Sequence, residues 1–114
     1  MDANQAVVAH STWKSKLANY IKDPNHSLTA AEVEASDRCD LGKWLKGEGR
    51  KHASLQEYSK LVAEHARFHR AAASVVRNAD KHNVQADMAL GSKSEFGEAS
   101  ASVVLAIMAM KDKF

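Results

Sequence analysis

The chain has 114 residues, of which 45% are hydrophobic and 26% charged, so it has room for one hydrophobic core and the composition of an ordinary globular domain. Its formal charge is +2, and the one basic cluster, Lys43, Lys46, Arg50 and Lys51, is interrupted by Glu48, which argues against a nucleic-acid partner. A single cysteine excludes an intramolecular disulfide and fits a reducing, cytoplasmic setting.

The opening residues, MDANQAVVAH, lack a basic start followed by a long apolar stretch. The most apolar run, Val103 to Met110, is far shorter than the ~20 residues of a bilayer-spanning helix, so no direct membrane insertion is expected. A first helix is predicted over 3–22, stopped by Asp23-Pro24-Asn25 because Pro24 disfavours helix in the residue before it. Thr29 with Glu32 has the spacing of a capping box, which predicts a short helical turn. The glycine-broken stretch Asp37 to Gly49 is read as holding a short helix over 41–46. A long helix follows over 53–82, with Asn83 suited to a left-handed C-terminal conformation. The last helix is expected over 85–111, weakened in its first half by Gly91 and Gly97. No stretch alternates with period two, so no strand is expected. The reading is all-α: one domain over residues 1–114, an antiparallel four-helix bundle with an extra short Cys-bearing helical segment.

The inner faces follow from spacing. In the first helix Ala6, His10, Trp13, Leu17 and Tyr20 share one stripe. In the long helix Tyr58, Val62, His65, His69, Ala72, Val76 and Ala79 do so, and in the last Phe96, Val103, Ile107, Met110 and Phe114. Three histidines therefore fall on core faces. A buried imidazole left without a partner costs roughly 1–3 kcal/mol. One such histidine is most simply explained by a hydrogen bond to a carbonyl or hydroxyl, but three together, two of them four residues apart, favour a shared metal ion. Cys39, flanked by Arg38 and Asp40, is poorly placed as core filler. Three imidazoles and one thiolate make a closed tetrahedral set that suits zinc, Zn2+. The remaining histidines, His26, His52 and His82, fall in or beside turns and are expected on the surface. Met108 and Met110 are read as core filler.

The segments HSTWK (His10 to Lys14), CDLGKWL (Cys39 to Leu45) and HARFH (His65 to His69) resemble, in order, elements of the chemoreceptor zinc-binding domain (CZB) family. The C-terminal SEFGEAS…MAMK is similar to that family's last helix. The resemblance implies a small helical bundle binding one zinc through His10, Cys39, His65 and His69, with Trp13, Trp44 and Phe68 packed around the site. It also implies a sensory or regulatory module of bacterial signal transduction, of chemoreceptor or cyclic-di-GMP type, responding to zinc availability or to oxidation of the zinc-bound cysteine. Its output would be a partner signalling protein or a fused chemoreceptor or diguanylate cyclase domain. The alternative is a structural zinc-stabilised bundle that serves interaction or dimerisation without switching. An enzyme is not expected, because four protein ligands leave no position for a substrate water. A homodimer is expected, because Val104, Leu105 and Met108 widen the apolar stripe of the last helix.

Overall fold

The structure is a computed structural model that describes residues 2–82 and 85–114. Seven α-helices appear among the described residues: α1 (Ala3–Ser11), α2 (Trp13–Lys22), α3 (Ala30–Glu34), α4 (Asp40–Lys46), α5 (Gln56–Asp80), α6 (Ala86–Leu90) and α7 (Glu95–Ala109). Single 3-10 turns follow α4 and α7, and no strand occurs among these residues. The molecule is an all-helical bundle, as the periodicities predict. Its long members are the α1–α2 rod, α5 and α7, with α5 packed against α2, α3 and α7, and α1 against α7.

The helix boundaries have local causes. Asp2 caps α1 by accepting from the Gln5 N–H, and the Gln5 side chain accepts from the Asp2 N–H in return. The predicted first helix is interrupted at Thr12, whose hydroxyl donates to the Ala9 carbonyl while its backbone stays right-handed helical. Thr29 stands at the N-cap of α3 in an extended conformation, but its side chain caps nothing, so the Thr29–Glu32 capping box does not form. Helix α5 ends at Asp80, and the left-handed residue that follows is His82 (φ 54°); Asn83, expected in that role, lies outside the described residues. The last predicted helix is broken at Gly91 into α6 and α7, and Ser94 restarts it by accepting from the Gly97 N–H at 3.0 Å.

The core is one cluster. From the first stripe Ala6, Leu17 and Tyr20 are buried, with Trp13 packed at the margin. Phe96, Val103, Ile107 and Met110 are buried from the last, Phe114 partly so. Helix α5 contributes Leu61, Phe68, Ala72 and Val76, whereas Val62, expected inside, is 41% exposed. Two hydroxyls tie the pieces together. Tyr20 donates to an Asp80 carboxylate oxygen at 2.5 Å, joining the ends of α2 and α5. Tyr58 donates to the Leu45 carbonyl at 2.6 Å, fastening α4 to α5.

Candidate metal centre

Helical spacing puts His65 and His69 one turn apart on the inner face of α5. Helix α1 brings His10 against them, and all three are buried. Their rings meet edge to face, with centroids 4.6 Å apart for His65 and His69, 5.0 Å for His10 and His65 and 5.8 Å for His10 and His69. Phe68, fully buried on α5, packs edge-on against both His10 and His69 and closes the site from the core side.

Backbone carbonyls orient two of the rings. His10 Nδ1 lies 2.8 Å from the Ala6 carbonyl oxygen, and His69 Nδ1 lies 2.7 Å from that of Val33. A carbonyl can only accept, so each Nδ1 carries the proton and each Nε2 turns its lone pair inward. Burial pushes the His10 and His69 imidazoles below the usual histidine range, against the opposing pull of those carbonyls. Burial, with His69 and His10 beside it, brings His65 down to about 3. All three imidazoles are neutral near pH 7, the form that binds metal.

Cys39 completes the group from the N-cap of α4. Its Sγ lies 3.2 Å from His65 Nε2, 3.7 Å from His69 Nε2 and 4.0 Å from His10 Nε2. It accepts from the Gly42 N–H at 3.4 Å. Glycine is required at 42 by close packing: a Cβ there would fall 1.9 Å from the Ser36 carbonyl oxygen. Gly42 has no positive φ, so close packing and not backbone turning is what requires glycine there. Burial raises the Cys39 thiol above its ordinary range, opposed by the backbone N–H groups of Gly42 and Leu41.

One donor atom from each of His10, Cys39, His65 and His69 lies within 4.8 Å of every other. Metal bonds of about 2.05 Å to nitrogen and 2.3 Å to sulfur give a tetrahedron with edges of about 3.3 Å (N–N) and 3.6 Å (N–S). The three sulfur distances straddle the N–S edge, and the His65–His69 Nε2 separation of 3.1 Å lies just below the N–N edge. The inward lone pairs of His10 and His69, beside the Cys39 sulfur, make a seat for a cation. The donor set therefore fits zinc, a closed site with no position left for substrate.

Cys39 is the only one of the four that is not fully buried. It and His69 line a cleft of about 310 Å³ walled by Trp13, Leu28 and Val33, with Arg38 at its edge. Trp44, on the helix that Cys39 caps, stacks on Phe114 (4.3 Å between centroids, 19° between planes) and on His52 (6.2 Å, 29°). A Cβ on Gly49 would come within 2.9 Å of the Trp44 ring, so the chain presses on that ring from a third direction. His26 and His82 are exposed, as expected. His52 is not: it is half-buried against Trp44, and its Nε2 is buried without a hydrogen-bond partner among the described residues. Met110 is core, but Met108 is 41% exposed and not the core filler expected.

The fold and the donor set define a metal-binding helical bundle. Residues 10–76 match the chemoreceptor zinc-binding domain (CZB), and the chain belongs to that family, a family of regulatory zinc-binding domains found in signalling proteins. All four converging donors lie inside the matched stretch, whereas α7, compared above with the family's last helix, lies outside it. Neither a curated protein nor a solved structure matches the chain. No helix among the described residues is long and apolar enough to cross a membrane.

Proposed function

We propose that His10, Cys39, His65 and His69 together hold one zinc ion per chain, and that residues 1–114 form a single zinc-binding sensory domain of a signalling protein. The observation that carries this reading is the convergence of the four donor atoms within 4.8 Å, with two imidazoles held by carbonyls in the metal-binding tautomer. Cys39 is the point of control. It is the one ligand with ready redox chemistry, it faces the cleft, and it begins the short helix that carries Trp44. A two-electron oxidant such as hypochlorous acid or peroxide converts the thiolate to sulfenic acid and is itself reduced to chloride or water. The oxidised sulfur would be a poorer ligand for zinc, and α4, which Cys39 caps, would then be free to leave the bundle. Loss of zinc when the ion is scarce frees the same helix. The partner that reads this movement is a chemoreceptor or diguanylate cyclase domain, fused or separate, in the cytoplasm.

Zinc-loaded protein treated with stoichiometric hypochlorous acid, with zinc followed by a chromogenic chelator and the modified residue mapped by mass spectrometry, tests the oxidant route. Zinc release with oxidation at Cys39 is expected. Retention of zinc, or oxidation confined to Met108 and Met110, defeats it and leaves zinc availability as the signal. The structural-staple reading is favoured by the burial of all three histidines, and unfolding of the chain on zinc removal would select it.

A further inference from the structure

We propose that the cavity between α4 and α5 beside His65 binds a small carboxylic acid with an apolar body, whose carboxylate accepts the His65 Nδ1–H. The proposal rests on the zinc reading and adds a ligand to that site. His65 differs from the other two histidines. Its Nε2 faces inward, 3.2 Å from Cys39 Sγ and 3.1 Å from His69 Nε2, so with zinc on that nitrogen the proton sits on Nδ1. The His10 and His69 Nδ1–H groups donate to the Ala6 and Val33 carbonyls, whereas that of His65 meets no acceptor among the described residues. Nor is it sealed in: the fully buried side-chain nitrogens and oxygens without a partner among those residues are His52 Nε2 and Glu64 Oε2. The His65 Nδ1–H therefore opens on the cavity of about 270 Å³ that its ring lines. A histidine that holds a metal ordinarily gives its other N–H to a carboxylate, a carbonyl or a water.

The walls of the cavity set the class of ligand. Leu45 of α4 and Tyr58, Val62 and Ala66 of α5 line it, and Val62, which the core leaves 41% exposed, belongs to this apolar wall. An apolar cavity of ~150 Å³ holds benzene, so this one has room for a body of about six to eight carbon atoms, far more than a single bridging water fills. The charge of the centre calls for an anion. Zinc with one thiolate and three neutral imidazoles leaves one positive charge uncompensated, and the two Nδ1–H bonds already made go to uncharged carbonyls. Asp37, the one carboxylate among the residues lining the cavity, is half exposed and lies 3.4 Å from Lys46 Nζ, so that pair adds no net charge. A ligand carboxylate on His65 neutralises the centre through the ring and makes Nε2 a stronger metal ligand. Carboxylate and zinc then bind cooperatively, each tightening the other by the same factor.

Benzoate and benzyl alcohol, titrated into the zinc-loaded chain and followed by amide chemical shifts, test it, with the zinc content of the same sample fixed first by elemental analysis. The expected result is saturable benzoate binding in the millimolar range, with the largest shifts at Leu45, Val62 and Ala66. Benzyl alcohol, which keeps the ring and lacks the charge, should bind at least tenfold more weakly. Saturating benzoate should raise zinc affinity about tenfold, measured by competition with a chelator. Ala66→Leu fills the cavity and removes no donor, so it should keep its zinc and lose benzoate. Should that variant lose helix by circular dichroism, Val62→Phe provides the same reading. Zinc-loaded protein without saturable shifts, or with shifts centred on Trp13 and Val33 in the cleft beside Cys39, would overturn this proposal and leave the zinc reading standing. A chain that takes up no zinc defeats both.

Discussion

At the scale of single residues, the four converging donors differ in their protons. The imidazoles are already neutral, while the thiol, raised by burial, keeps its proton until metal arrives. Zinc uptake near pH 7 should therefore release about one proton per ion, from Cys39. Calorimetry in buffers of different ionisation enthalpy measures it, and a Cys39→Ala protein should release none. His10→Ala, His65→Ala and His69→Ala should each weaken zinc binding at least tenfold, with His26→Ala and His82→Ala unchanged in the same titration. Gly42→Ala removes no donor, yet its methyl would meet the Ser36 carbonyl. It should cost about 1–3 kcal/mol in denaturant unfolding and lower zinc affinity by displacing Cys39. The three histidines were legible because helical spacing places them on inner stripes. The groups that aim them were not: the Ala6 and Val33 carbonyls and the Gly42 N–H belong to the backbone and have no side-chain signature. The burial of His52 was hidden for a related reason, since it arises from a stack with Trp44 formed only on folding.

At the scale of elements, periodicity located every long helix, while caps decided where each begins. The break between α6 and α7 was foreshadowed by Gly91, but the restart depends on the Ser94 hydroxyl. Ser94→Ala should cost about 1 kcal/mol, seen as a fall of about 4–8 °C in the midpoint of thermal unfolding. The interruption at Thr12 has no comparable warning, because threonine continues a helix and neither glycine nor proline is near. Its effect is to divide the rod that carries His10 from the part that carries Trp13 and Leu17. The stripe of α5 fails at Val62, which is 41% exposed, because Leu61 takes the buried position of that turn, beside a Tyr58 tied to the Leu45 carbonyl.

At the scale of the molecule, apolar packing extends well beyond the metal-binding residues, from Leu17 and Tyr20 to Phe96 and Ile107. The chelated protein should accordingly keep most of its far-ultraviolet helical signal, unlike a zinc finger, whose core is too small to stand alone. That metal-free fold should weaken on acidification. Unfolded imidazoles take up protons near pH 6.5, while the buried ones resist, His65 down to about 3. Between those values the unfolded chain binds more protons, so stability is lost as pH falls. Denaturant midpoints of chelated protein at pH 7.5 and pH 5 should differ in that direction, and His65→Gln should reduce the difference.

The stack of Trp44 on Phe114 has an optical consequence. The chain contains two tryptophans, Trp13 in the wall of the cleft beside Cys39 and Trp44 on the helix that Cys39 caps. Both indoles are partly shielded from water, so intrinsic fluorescence is a built-in gauge of the site, with one emitter on each side. Trp13→Phe isolates the signal of α4 and Trp44→Phe that of the cleft. Stripping zinc from the Trp13→Phe protein should shift its emission to the red as Trp44 leaves Phe114 and meets solvent. Emission that stays constant there, while the Trp44→Phe protein responds, would mean that α4 keeps its seat and the cleft alone changes.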